Sequence, residues 1–178
     1  YRESVFKKVL KEQYIIAAVT FKLPKKHEVS IEYGDIQRTL VAYGISNPTI
    51  QDVRRAVIDI RMSKLPNPAE IGNAGSFFKN PIIATADFLA LKSQYPTLAG
   101  YATADENWTK VAAGWLIEQA GWKGYKEGPV GVHDRQALVL VHFGQGVGQE
   151  IVTLCEKIQQ SVKQKFGIEL TPEVNFVG

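Results

Sequence analysis

The chain is short of several residue types, and each shortage narrows what it can be. Only one of its 178 residues is a cysteine, Cys155, which excludes an intrachain disulfide and any multi-cysteine metal site and suits a reducing compartment. Its three histidines, His27, His133 and His142, stand at no metal-ligand spacing, so no metal centre is expected. Long apolar runs are absent too. The longest, Ile15-Ile16-Ala17-Ala18-Val19 after Tyr14, falls far short of the ~20 residues of a membrane span, and no charged-then-apolar signal opens the chain. A cytoplasmic location without a membrane partner is the expectation. Neither sign of charge is in excess: 21 Lys and Arg against 18 Asp and Glu leave +3, too little and too evenly spread to indicate nucleic acid, but compatible with a phosphate-bearing ligand. The lone methionine is Met62. The chain therefore does not begin at an initiator, and further residues are expected upstream.

What remains has a globular composition. With 45% hydrophobic and 22% charged residues, disorder, collagen-like repeats and coiled coil are poor readings. Residues 14–23 are rich in β-branched and aromatic side chains and close at Pro24, which predicts a largely buried strand. A shorter strand is expected at residues 29–33, followed by a turn at Tyr33-Gly34-Asp35. Thr49 with Asp52 three residues on predicts a capped helix start. From there Ile50, Val53, Val57 and Ile60 recur at helical spacing until Leu65-Pro66-Asn67-Pro68 stops the run. Further helices are predicted over 85–94, 111–120 and 148–166, the last with Ile151, Leu154, Cys155, Ile158, Val162 and Phe166 on one stripe. Residues 137–143 read as a buried strand. Strands and helices mix without a βαβ repeat, so the fold class is α+β, a mixed or antiparallel sheet with helices packed on it.

Three stretches could carry chemistry. Gly72-Asn73-Ala74-Gly75-Ser76-Phe77-Phe78-Lys79-Asn80-Pro81 places two glycines before a hydroxyl, a cation and an amide. It reads either as a ligand-binding backbone or as a glycine turn entering a buried strand. Gly144-x-Gly146-x-Gly148 departs from the dinucleotide fingerprint and is left with too little chain for a βαβ unit, so a connecting loop is expected. Ser76 with His133 and Asp134 could be imagined as a hydrolase triad, but no nucleophile elbow surrounds Ser76 and adjacent His and Asp tend to diverge in an extended chain.

Motifs from end to end of the chain go further. They are Tyr1-Arg2-Glu3-Ser4-x-Phe6-Lys7, Tyr33-Gly34-Asp35, Arg61-x-x-Lys64-Leu65-Pro66-x-Pro68, the stretch from Gly72 to Pro81, Ala112-Ala113-Gly114-Trp115-Leu116-Ile117, Val132-His133-x-x-Gln136-Ala137-Leu138-Val139-Leu140 and Pro172-Glu173-Val174. In this order they resemble the UDP-N-acetylenolpyruvoylglucosamine reductase (UDP-N-acetylmuramate dehydrogenase) family, in its C-terminal substrate-binding portion and in the type with a tyrosine-bearing loop. The resemblance implies FAD as cofactor, NADPH as hydride donor, and a nucleotide-sugar substrate whose enolpyruvyl double bond is reduced in peptidoglycan precursor synthesis. It further implies Ser76 as proton donor, Arg2 on the substrate carboxylate and Glu173 completing the catalytic group. Tyr33, Lys64, Asn80 and Gln136 become substrate contacts.

On this resemblance residues 1–26 are the remnant of the FAD-binding domain and 27–178 the substrate-binding domain, so the fragment alone is expected to be inactive. The strand at 14–23, deprived of its sheet, would present an edge that invites dimerisation. The alternative function is a non-catalytic module that holds a nucleotide sugar or other phosphate ligand through Lys64 and Tyr33.

Overall fold

The computed structural model describes residues 4–11, 13–26, 28–32 and 34–176. Arg2 and Tyr33 lie outside the described residues. Past a single 3-10 turn at Val5–Lys7, residues 14–23 form no strand. They run exposed, Ile15 to 96%. The predicted buried strand is thus corrected: β-branched composition favours an extended backbone, but a strand needs a neighbour to take its hydrogen bonds, and none runs beside it among the described residues. The same holds for residues 29–32, which pair with nothing as a strand.

Helix α1 (Ile36–Ala42) and helix α2 (Ile50–Lys64) form a pair with its own small core of Ile36, Leu40 and Ala56, flanked by Val53, Val57 and Ile60. α2 starts where the sequence places it. Thr49 Oγ1 accepts from the Asp52 amide at 3.3 Å while the Asp52 carboxylate accepts from the Thr49 amide at 2.8 Å, a reciprocal cap that satisfies two otherwise orphaned donors. The Tyr43 hydroxyl, at the end of α1, donates to Asp59, and Arg55 lies 4.7 Å from the Tyr43 ring centre; together they lock the two helices.

Strands β1 (Gly72–Ser76), β7 (Val139–His142), β6 (Val130–Val132) and β5 (Lys126–Glu127) make an antiparallel sheet in the order β1-β7-β6-β5. A second antiparallel sheet joins β2 (Ile82–Ala84), β4 (Trp108–Val111) and β3 (Gly100–Ala102). Helices α3 (Thr85–Gln94), α4 (Ala113–Gln119) and α5 (Gly148–Phe166) complete the fold. The architecture is α+β, with every strand pair antiparallel. α3 and α5 keep their predicted bounds, whereas α4 is shorter than predicted because Val111 ends strand β4 and Ala120 turns, and β7 because Ala137 and Leu138 make a turn before it.

α5 buries Leu154, Cys155, Ile158, Val162 and Phe166 in the main core, with Ile151 packed at its margin. Each large side chain there contributes about 1.5–3 kcal/mol relative to exposure. Phe77, Phe78, Leu98, Leu116, Ile117 and Leu140 fill the same core from the sheets and α4. Burial pushes the Cys155 thiol up to about 11, the charge of Glu156 adding to the effect, so this residue packs rather than reacts.

Candidate functional site

The glycine-rich stretch is a bulged strand. β1 pairs Asn73 with Val141 and Ser76 with Val139, so three steps along β1 answer two along β7 and one extra residue is accommodated. Gly75 supplies it at φ +71°, a conformation in which a side chain would be strained. Asn73 fastens the bulge, its Oδ1 accepting from the Gly75 amide at 3.1 Å and its Nδ2 donating to Ile71 O at 3.0 Å. The result is local re-aiming: Ser76 is exposed while Phe77 and Phe78 turn into the core.

Beyond the bulge, residues 77–79 run between two other segments. The Phe77 amide donates to Leu138 O at 2.8 Å, while Phe77 O accepts from the Glu173 amide at 2.8 Å and the Lys79 amide donates to Thr171 O at 2.9 Å. Phe78 bridges to Pro172, whose ring nitrogen has no proton to give and loses nothing by the arrangement. Half-buried Glu173 is thereby held one position from the strand residue next to Ser76. Backbone pairing thus sets the segment that carries Glu173 beside the residues that follow Ser76, far from it in the chain.

Asn80 and Gln136 meet at the start of α4. Asn80 Oδ1 accepts from the Ala113 amide at 3.0 Å, taking an orphan donor that Ala112 has no side chain to cap. Gln136 Oε1 accepts from the Leu138 amide at 3.3 Å and stands 3.2 Å from where a Cβ on Gly114 would lie. Each amide side chain spends its oxygen internally. Each keeps its NH₂ group as a donor for something else.

Lys64 closes α2 and forms an ion pair with Asp35 at 2.5 Å. The Lys64 hydrogen bond, then its charge, hold the Asp35 carboxyl below the usual carboxylate range. This contact sets Asp35, at the start of α1, against the end of α2. A cavity of about 590 Å³ opens between α2 and the bulge, lined by residues that include Arg61, Met62, Pro66, Asn73, Gly75 and Arg135. Its walls combine the Arg61 guanidinium and the Glu70 carboxylate with apolar and amide side chains, while the Arg135 guanidinium is turned to the carbonyls at the end of α2.

The imagined Ser76–His133–Asp134 triad is excluded on geometry. His133 and Asp134 do approach, at 3.5 Å through Nε2, but Nδ1 already accepts from the Arg135 amide at 3.3 Å. Both ring nitrogens are engaged away from Ser76. Burial lowers the His133 pKa despite the opposing charge of Asp134, so the imidazole sits neutral in the core. The Gly144-Gln145-Gly146-Val147 segment is a connection between β7 and α5, as its spacing predicted. Among the described residues no group of three or more His, Cys, Asp or Glu could hold a metal ion.

Sequence reasoning missed Asp35 as the partner of Lys64, and Arg135, which reaches the end of α2. Neither has a local signature; both act on residues far away in the chain.

Residues 67–177 match the model of the UDP-N-acetylenolpyruvoylglucosamine reductase C-terminal domain. The chain belongs to that reductase family. Similar proteins named UDP-N-acetylenolpyruvoylglucosamine reductase include one from Chromobacterium violaceum, 52% identical over 97% of this chain and 50% of that protein. Another, from Flavobacterium johnsoniae, is 49% identical over 99% of this chain and 52% of that protein. The chain thus spans about half the length of the curated relatives it matches.

Proposed function

We propose that this chain is the substrate-binding portion of a reductase that converts UDP-N-acetylglucosamine enolpyruvate to UDP-N-acetylmuramate in peptidoglycan precursor synthesis, with FAD as cofactor and NADPH as hydride donor. The observation that carries the reading is the Phe77–Glu173 backbone bond, which sets the segment carrying Glu173 beside the residue that follows Ser76, on the same bulged strand whose Asn73 and Gly75 line the cavity. Residues 1–26 would belong to the flavin domain and 27–178 to the substrate domain.

Fit to a flavin dinucleotide is incomplete. A cavity of about 590 Å³ is the size of a site for one drug-sized ligand, and it leaves no room for a dinucleotide and a nucleotide sugar together. The described residues suit the sugar nucleotide, and the flavin would be held mainly by parts of the reductase outside this chain, which is why the chain alone should not turn over.

The roles of this chain's own residues follow from their chemistry. Arg2 is suited to the substrate carboxylate, because a planar guanidinium can meet both oxygens and stabilise negative charge that develops next to them. Exposed Ser76 would deliver the proton to the adjacent carbon, with Glu173 completing the site. Lys64 and Tyr33 would grip the diphosphate, and the free NH₂ groups of Asn80 and Gln136 would donate to substrate oxygens.

No described helix is long and apolar enough to cross a membrane; the cytoplasmic setting is part of the proposal. The exposed, unpaired backbone of residues 14–23 supports pairing with a second copy. Steady-state assay of the full-length protein carrying this sequence separates the readings. Oxidation of NADPH that depends on the enolpyruvyl substrate is expected, whereas tight substrate binding with no oxidation would favour the non-catalytic binding module.

A further inference from the structure

The last carbonyls of an α-helix have no partner within the helix, and their aligned dipoles leave negative partial charge there. In α2 those carbonyls belong to residues 61–64. Arg61 O is taken by the Leu65 amide at 2.7 Å. Met62 O and Ser63 O are both taken by one group, Nη1 of Arg135, at 3.3 and 3.1 Å. A single guanidinium, 72 residues further along the chain, thus caps the helix end immediately before Lys64.

The position of Arg135 makes this more than a cap. It sits in the turn between β6 and β7, next to Gln136, and that turn is tied into the main core: the His133 amide donates to Val139 O at 2.9 Å and the Val139 amide to Gln136 O at 3.0 Å. α2 belongs to the other core, built around Ile36, Leu40 and Ala56. The Arg135 guanidinium therefore bridges the two cores at the point where the helix that ends in Lys64 faces the loop carrying Gln136. We infer that Arg135, although it borders the cavity, is a positioning residue, which sets the distance between the Lys64 ammonium and the Gln136, Asn80 and Ser76 surface and so tunes affinity for the nucleotide-sugar substrate through Lys64. This rests on the proposed role of Lys64 as a substrate contact.

The distinction from a purely structural cap lies in what moves when the bridge is cut. Without it the end of α2 is anchored only on the α1 side, by its own core and the Lys64–Asp35 ion pair, and Lys64 loses its fixed distance from the Gln136 loop. Loss of two charge-assisted hydrogen bonds from one donor group is expected to raise the dissociation constant of the substrate about 5- to 20-fold.

The test uses the full-length protein carrying this sequence. Equilibrium titration of the oxidised protein with UDP-N-acetylglucosamine enolpyruvate would be compared for wild type, Arg135→Ala, Arg135→Lys, Lys64→Ala and the Arg135→Ala/Lys64→Ala double variant. Arg135→Ala should weaken binding by the stated factor, and Arg135→Lys, whose ammonium can still reach a carbonyl, should recover to within about 3-fold of wild type. The double variant should bind no worse than Lys64→Ala alone, since the arginine acts through the lysine. Affinity unchanged in Arg135→Ala, with Lys64→Ala weakened, overturns the positioning role and leaves the substrate role of Lys64 standing. Unchanged affinity in Lys64→Ala overturns that substrate role, and the inference with it. Additive losses in the double variant overturn the coupling. If Arg135→Ala lowers thermal stability too far for titration, the Arg135→Lys comparison carries the same test: affinity as poor as that of Lys64→Ala refutes rescue by charge.

Discussion

Asn80 offers a clean separation of folding from binding. Its Oδ1 accepts from the Ala113 amide at 3.0 Å, at the start of a seven-residue helix that has no side-chain cap of its own. Replacing Asn80 by Ala leaves that donor half-buried and unmet, a loss of about 1–2 kcal/mol. For a chain of this size each kcal/mol moves the melting midpoint by about 2–4 °C, so Asn80→Ala should melt about 2–8 °C lower. Asn80→Asp keeps an acceptor in the same place and adds negative charge near a helix start, which is favourable there. It should stay within about 0.5 kcal/mol of wild type. Both variants lose the NH₂ donor, so both should bind the nucleotide sugar more weakly. Urea denaturation of the chain followed by circular dichroism, alongside substrate titration of the full-length protein, measures the two effects separately. An Asn80→Asp variant as unstable as Asn80→Ala would refute the capping account. Asn80→Asp with wild-type substrate affinity would remove the amide from the site.

Two further outcomes follow from ionisation. Asp35 is held below its ordinary value by Lys64, so its contribution to stability is fully present above about pH 4 and is lost as pH falls through the lowered folded value. Carboxyl-detected NMR titration should show a depressed Asp35 midpoint that returns to the usual range in Lys64→Ala; an unaltered midpoint would disconnect the pair. Cys155 is buried, its thiol raised to about 11. It should resist a disulfide reagent at neutral pH until the chain unfolds, and rapid labelling of the native chain would contradict its packing.

How much of this was legible in the sequence depends on whether the signal is local. α2 and α5 announce themselves by apolar stripes, with the Thr49–Asp52 cap opening α2 and Gly167 ending α5, while α3, with no side-chain cap and no fully buried residue, is marked mainly by its stop before Pro96; the structure agrees with all three bounds. α1 was missed because it is seven residues long, its Asp35 makes no side-chain cap, and only Ile36 and Leu40 are buried. Residues 14–23 carry strand composition without a strand, since composition records a preference and not the presence of a partner. In the site, the glycines of β1 suggested a special backbone, and the bulge at Gly75 is that feature. The pairing of residues 77–79 with 171–173, and the reach of Arg135 to Met62 and Ser63, depend on tertiary closure. No window of neighbouring residues encodes them. Family motifs named Ser76 and Glu173; the backbone bond between Phe77 and Glu173 sets the two segments that carry them side by side.

The most direct test of the proposed chemistry is single-turnover reoxidation of the reduced flavin by the enolpyruvyl substrate, in the full-length protein and its Ser76→Ala variant. The account predicts unchanged reduction by NADPH, nearly unchanged substrate affinity, and reoxidation slowed by about 10²- to 10⁴-fold, the range supplied by a positioned acid. Reoxidation at the wild-type rate in Ser76→Ala would contradict it and remove the exposed hydroxyl of the bulged strand from the reaction.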